Sequence, residues 1–250
     1  MNLKELSAYL DDYLCHDSVP DYRDAFNGLQ VEGRSEVKRI AIAVDACSAT
    51  IEQAIFGGAD MMLVHHGLFW GAKAPVTGAY YRRLAALIKS DLSLYSTHIP
   101  LDAHPEVGNN HVLARQLGLT VGGMFGEHEG VPIGVWAETE VPREELVSRI
   151  KAQLGIDPLV IATGPETVRK VGIITGGAGS MIKDAQQAGC DTFITGEGQH
   201  HTYFEAEERG LNVIYAGHYA TETVGVKALA KHLDQRFGLE SFFIDHPTGL

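Results

Sequence analysis

Two adjacent histidines, His65 and His66, close an apolar run, Met61-Met62-Leu63-Val64, and are followed by Gly67. Imidazole nitrogens bind metals and carry protons near neutral pH, so a pair at the end of an apolar segment marks a candidate site. Two further histidines each precede an acid by four residues: His98 with Asp102, and His218 with Glu222. Glu197 ends a second strand-like stretch, Phe193-Ile194-Thr195-Gly196. Imidazole and carboxylate without thiolate suit zinc, iron or manganese, and magnesium less well. Roughly four to six such ligands suffice for two ions bridged by a carboxylate. Two divalent ions about 3.5–4 Å apart activate a water and stabilise an anionic transition state.

These groups need elements that hold them. Met61 to Val64 reads as a buried strand opening into a polar site at its carboxyl end. Successive strand residues point to opposite faces, so the chain must turn at His66 if both rings act together, and Gly67 permits the turn. Leu3, Leu6, Leu10 and Leu14 follow helical spacing, with a stop before Pro20. Arg39 to Val44 alternates as a strand, and Ser48 to Phe56 forms a helix closed by Gly57-Gly58. A helix around Tyr81 to Lys89 leads into a strand from Leu92 to Ser96, and another runs from Asn110 to Leu117. Between His98 and Asp102, Pro100 favours a loop over a helix. Ile133, Val135 and Ala137 alternate as a strand, and Pro142 with Glu144 and Glu145 starts a helix that Gly155 ends.

The pattern then returns. Val168-Arg169-Lys170-Val171-Gly172-Ile173 aligns with Val37-Lys38-Arg39-Ile40-Ala41-Ile42, and the register continues without a gap to Gly198 opposite Gly67. His65-His66 lies opposite Gly196-Glu197. A second match places Leu94-Tyr95 over Ile214-Tyr215, His98 over His218 and Asp102 over Glu222. Any two strand-helix-strand units share glycines and apolar runs, but this register is longer than that pattern requires. We read an internal duplication in an α/β fold, with residues 1–125 as the first repeat and 126–250 as the second. Sites in such sheets lie at the carboxyl ends of strands.

Any one of these histidines alone reads as structural; as a set at equivalent places in two repeats they read as a metal site. His16, His104, His111, His128, His232 and His246 lack partners at ligand spacing, and His200 and His201 follow Glu197 closely enough to line a pocket but read better as helix surface. Thr175-Gly176-Gly177-Ala178-Gly179-Ser180 joins a strand to a helix and could cradle a phosphate, though it lacks a P-loop lysine and tight packing explains the glycines equally well.

Composition sets outer bounds. The 250 residues are 45% hydrophobic and 21% charged, with a net charge of -12 and no cluster of basic residues. That balance argues against a nucleic-acid or anionic-membrane surface. No apolar run reaches the length of a membrane span, and the first residues lack a secretory pattern. Cys15, Cys47 and Cys190 are widely spaced, so a reduced, cytoplasmic protein is expected.

Four segments together resemble the NIF-three-like family of dinuclear metal proteins, in particular its short bacterial YbgI-type members, named GTP cyclohydrolase I type 2 homologues. They are Asn27-Gly28-Leu29-Gln30-Val31, Val64-His65-His66-Gly67, His98-Ile99-Pro100-Leu101-Asp102 and Gly217-His218-Tyr219-Ala220-Thr221-Glu222. The resemblance implies two interlocked α/β repeats with mixed sheets, a toroidal homohexamer, and two divalent metal ions per chain between the repeats. It also implies the metal ligands: His65, His66, Asp102, His218 and Glu222, the last bridging. His65 would share one ion with His218, and His66 the other with Asp102. His98 and Glu197 would lie beside the ions.

The expected activity is a metal-dependent hydrolase acting on a nucleotide or purine-like substrate. His98 is the expected proton donor, with Glu197 as its partner or as a base. A metal or metallocofactor carrier without turnover is the alternative, since ligands for carriage and for catalysis look alike. A third reading is a scaffold whose metals only stabilise the ring.

Overall fold

A computed structural model describes residues 1–70 and 74–249. It begins with α1 (Leu3–Tyr13), which buries Leu3, Leu6 and Leu10 along one face, while the Asn2 side chain caps its first turn. Next come β1 (Gly28–Val31), β2 (Arg39–Asp45), α2 (Ser48–Phe56), β3 (Met61–His66), α3 (Gly78–Lys89), β4 (Ser93–Ser96) and α4 (Ile99–Ala103). The following stretch holds α5 (Asn109–Gln116), β5 (Val121–His128), β6 (Val131–Pro142), α6 (Arg143–Leu154), β7 (Leu159–Ala162), β8 (Thr167–Ile173), α7 (Ile182–Gln187) and β9 (Thr192–Thr195). The chain ends with α8 (His200–Arg209), β10 (Asn212–Tyr215), α9 (His218–Phe237) and β11 (Glu240–Phe243).

The strands form two mixed sheets. The first has the order β1-β4-β3-β2-β11, and the second β5-β6-β8-β9-β10-β7. β3 lies between β2 and β4 and is parallel to both, and its residues from Met61 to His65 are all buried. A strand covered on both faces takes a continuous apolar run rather than an alternating one. β9 likewise runs parallel between β8 and β10.

The two compact units interleave along the chain. One comprises Met1–Leu101 with Val226–His246, the other Asp102–Gly225 with the segment from Pro247. This division departs from a boundary at residue 125, because β5 belongs wholly to the second sheet and β11 returns to pair with β2.

Strand pairing carries the repeat. Ile40, Ala41 and Ile42 face Met61, Met62 and Leu63; at the aligned positions Val171, Gly172 and Ile173 face Thr192, Phe193 and Ile194. Asp60 Oδ2 accepts hydrogen bonds from the backbone N–H groups of Lys38 and Arg39, at 2.9 and 3.1 Å. Asp191 Oδ2 does the same for Arg169 and Lys170, at 2.7 and 3.2 Å.

The second sequence match is one residue out within the strands. Leu94 faces Met62, and Val213 rather than Ile214 faces Phe193. Thr97 N–H donates to Val64 O, and Ala216 N–H to the aligned Thr195 O. Gly217, at φ +78°, is therefore an extra residue that enters before His218.

Helix boundaries follow local chemistry. α2 has the expected limits, whereas α3 starts at Gly78, ahead of the apolar pattern, because extended Thr77 occupies its N-cap. Pro142 ends β6 and stands in the N-cap place of α6, where its missing N–H costs nothing. Gly155 closes α6 in a left-handed conformation, φ +69°.

Removing a half-buried carboxylate takes the acceptor from two backbone N–H groups at once. Asp191→Ala is expected to lower stability by about 1–3 kcal/mol in urea unfolding, and Asp60→Ala by a similar amount. No loss for either variant would mean that these paired caps do not stabilise the repeats.

Candidate metal centre

β3 solves the problem of two adjacent histidines by giving each ring to a different neighbouring strand. His65, fully buried, places Nδ1 2.9 Å from the carbonyl oxygen of Thr97, just beyond β4. His66 places Nδ1 2.8 Å from Asp45 Oδ1, at the end of β2. A carbonyl or carboxylate only accepts, so each Nδ1 carries the proton and each Nε2 bears the lone pair a metal needs. No turn is needed at His66, which remains in the strand and pairs with Asp45. The two rings lie 4.7 Å apart.

His98 joins them. Its Nδ1 is 2.8 Å from Asp21 Oδ1, and its ring centroid lies 5.0 Å from that of His65 and 5.5 Å from that of His66. One ligand atom from each of the three histidines lies within 4.8 Å of the others. Asn27 ties the arrangement together: its Nδ2 donates to Asp21 and its Oδ1 accepts from the His98 backbone N–H, both at 2.8 Å. Burial works to raise the Asp21 carboxyl, but hydrogen bonds from His98 and Asn27 prevail and hold it below the usual range. Asp21 is thus a carboxylate, and it is the acid that orients His98. Glu197, expected as the partner of His98 or as a base, holds Nδ1 of His218.

The second unit supplies its own set. His218 opens α9 and Glu222 follows one turn later on the same face, with His218 Nε2 3.1 Å from Glu222 Oε1. His218 Nδ1 lies 2.8 Å from Glu197 Oε1. Glu222 is 3% exposed. Asp102 is also buried, and its Oδ1 accepts from Asn109 Nδ2 at 2.8 Å and Thr175 Oγ1 at 3.3 Å. Pro100 does not make a loop here: Ile99–Ala103 is helical, since proline is tolerated in a first turn, where its N–H would have no helical partner.

Gly176 is set by the same chemistry. A Cβ at this residue would stand 2.2 Å from Glu222 Oε1, so no side chain fits, and φ is +69°. In the repeat register Gly176 aligns with Asp45, so one repeat places a carboxylate behind His66 where the other clears space for Glu222. The glycine loop suits an anion poorly, because Glu197 Oε1 lies 3.6 Å from where a Cβ on Gly177 would sit.

The donor set fits a divalent metal: imidazole nitrogens with fixed tautomers, and buried carboxylates that need a counter-charge. Both nitrogens of His218 face carboxylates. Its hydrogen bond to Glu222, opposed by burial and reinforced by Glu197, raises the imidazole from 6.5 to about 9. A proton and a metal therefore compete for the same nitrogen.

Asp21 and Asp45 carry no ligand spacing, and the sequence reading missed both. Asp45 had one available signal, a carboxylate ending the run Ile40-Ala41-Ile42-Ala43-Val44 in the way His65-His66 ends β3. His16, set aside from sequence, bonds Asp11 at 3.1 Å through Nδ1 and Thr97 Oγ1 at 3.1 Å through Nε2, and so braces the residue whose carbonyl holds His65. His200 and His201 are exposed at the start of α8, as expected.

A family model described as Duf34/NIF3 (NGG1p interacting factor 3) matches residues 1–249, and the chain belongs to that family. A Pyrococcus abyssi protein named "GTP cyclohydrolase 1 type 2 homolog" is 46% identical over 253 residues, covering 100% of both chains. One of the same name from Deinococcus radiodurans is 44% identical, covering 98% of this chain and 94% of its own. Among solved structures, protein ybgI, described as of unknown function, superposes with a TM-score of 0.93 at 43% identity over 100% of both chains. Reduced HcgD from Methanocaldococcus jannaschii gives 0.85 at 28% identity over 98% of each. Among the described residues no helix is long and apolar enough to cross a membrane.

The raised His218 value has a signed consequence. In chelator-treated protein its contribution to stability is fully present below about 6.5 and is lost as pH rises through about 9. Histidine ring NMR should show a midpoint near 9 in that protein, falling toward 6.5 in Glu222→Gln. An unchanged midpoint in the variant would contradict the assignment.

Proposed function

We propose that this chain is a dinuclear metal-dependent hydrolase acting on a nucleotide or purine-like substrate. His65, His66, Asp102, His218 and Glu222 would hold the two ions, of zinc, iron or manganese. These residues are drawn from both halves of the sequence. The observation that carries this reading is the commitment of Nδ1 on each of four histidines to an acceptor, which gives Nε2 the part of ligand or proton carrier, and on His218 that atom already meets the Glu222 carboxylate. The name borne by the curated relatives supports the substrate class. So do two exposed aromatic rings: Tyr22 stacks on His98 at 5.8 Å, and Trp70 meets it edge-on at 4.8 Å.

When bound, the ions supply an activated water and offset negative charge in the transition state. The chain's own residues do the rest. His98, as an imidazolium whose Nδ1–H is held on the Asp21 carboxylate, passes its Nε2 proton to the leaving group of the substrate and is left neutral. Glu197 holds His218 in the tautomer that presents Nε2. Asn109 and Thr175 aim Asp102 through its Oδ1. The working form is a ring-shaped homohexamer in the cytoplasm.

One observation favours carriage instead. The cluster of His65, His66 and His98 can hold an ion within one unit, with no need for a second metal.

Metal analysis of protein purified without chelator or affinity tag, followed by a nucleotide screen, separates the readings. The expected result is two ions per chain and metal-dependent turnover, with metal lost in His66→Ala and Glu222→Ala. His98→Ala should keep its metal and lose about 10²–10⁴-fold in turnover. Full turnover in that variant would remove His98 from the mechanism, and transfer of metal to an acceptor with no product from any nucleotide would establish the carrier.

A further inference from the structure

The second unit contains a cavity of about 420 Å³ that reaches Glu197, and none of the five proposed ligands is among its lining residues. It sits at the carboxyl ends of β9 and β10, where parallel strands in an α/β sheet place ligands. Gly196 and Gly198 line it after β9, and Gly217 after β10. A Cβ on Gly198 would lie 2.2 Å from the Tyr215 hydroxyl, so a side chain there would displace that lining ring.

The walls are chemically one-sided. Ile156, Leu159, Ala220 and Pro247 provide an apolar body, and this volume is large enough for a nucleoside-sized group. The polar side chains are Glu197, Asp157 and the Tyr215 hydroxyl, and none of the lining residues is cationic. Asp157 is already ion-paired with Lys151 on α6. Glu197 uses Oε1 for His218, and a carboxylate has further lone pairs with which to accept N–H donors. A phosphate entering here would meet carboxylate with no lining cation to offset it, whereas an N–H edge would be welcomed.

We propose that this cavity is the binding site for the heterocyclic end of the substrate: an uncharged aromatic ring bearing amino or ring N–H donors, with its N–H edge toward Glu197. Any phosphate on the same molecule points out of the cavity. This rests on the reading that the site acts on a nucleotide-like molecule, but its test needs no turnover.

The test is calorimetric titration of the metal-loaded protein with adenosine, cytidine and guanosine, and with ribose 5-phosphate. Wild type is compared with Ala220→Trp and Leu159→Trp, which fill the cavity from two sides. Leu159 is 65% exposed, so its replacement should not disturb folding even if Ala220→Trp does. At least one of the nucleosides is expected to bind more tightly than ribose 5-phosphate, and the fillings should weaken that nucleoside roughly tenfold or more without changing metal content. Tighter binding of ribose 5-phosphate than of every nucleoside, or nucleoside binding unmoved by both fillings, would overturn the proposal. Nucleoside binding that the fillings abolish, in a protein that turns over no nucleotide, would support the cavity and reject the hydrolase. Nucleotide turnover indifferent to both fillings would reject the cavity and leave the hydrolase standing.

Discussion

An imidazole ring has two nitrogens, and fixing the proton on one decides what the other can do. In this protein Nδ1 of His65, His66, His98 and His218 is held by Thr97 O, Asp45, Asp21 and Glu197 respectively. Each acceptor receives the Nδ1–H hydrogen bond and keeps that proton on Nδ1, so the ligand role falls to Nε2, which on His218 already meets Glu222. The acceptors sit at strand ends and in loops far along the chain from the histidines they serve. His98 and Asp21, for example, are 77 residues apart. Strand register is therefore what makes the chemistry: a one-residue slip of β3 would turn His65 away from Thr97 and His66 away from Asp45.

The two repeats use one backbone plan for different ends. Ladder pairings and the Asp60 and Asp191 caps recur at aligned positions, so the frame is shared. The polar groups mounted on that frame are not. One repeat ends its central strand in His65-His66 backed by Asp45, and the other in Gly196-Glu197 with Gly176 yielding space to Glu222. The extra residue, Gly217, shifts His218 onto the first turn of α9, where Glu222 follows one turn later on the same face. A duplicated frame has been made chemically asymmetric by a few substitutions and one insertion.

Much of this was legible in the sequence, for reasons that can be named. α2 was bounded by an apolar period and a glycine pair, both local signals. β3 announced itself as an apolar run ending in histidines, and the α/β class with its parallel strands followed from alternation with helices. The failures arose where local and long-range effects diverge. Pro100 argues against a helix only in an interior, and a first turn accepts it. Asp21 is a site residue solely because folding brings it to His98, and nothing in the residues around it records that contact. His16 lacked ligand spacing, yet it braces Thr97. Gly217 was hidden because aligning His98 with His218 absorbs the insertion unnoticed.

The electrostatics give the site its demand for cations. Asp102 and Glu222 are almost wholly removed from water, and Asp21 is held ionised by hydrogen bonds. Buried carboxylates require compensation, which a proton on His218 supplies only in part. Divalent ions would complete it and displace that proton. The most direct measurement is anomalous diffraction at the metal edge from crystals of protein prepared without chelator. Two peaks per chain are expected, one within bonding distance of His65 Nε2 and the other of His66 Nε2. A single peak, or peaks that leave either histidine uncoordinated, would contradict the paired site.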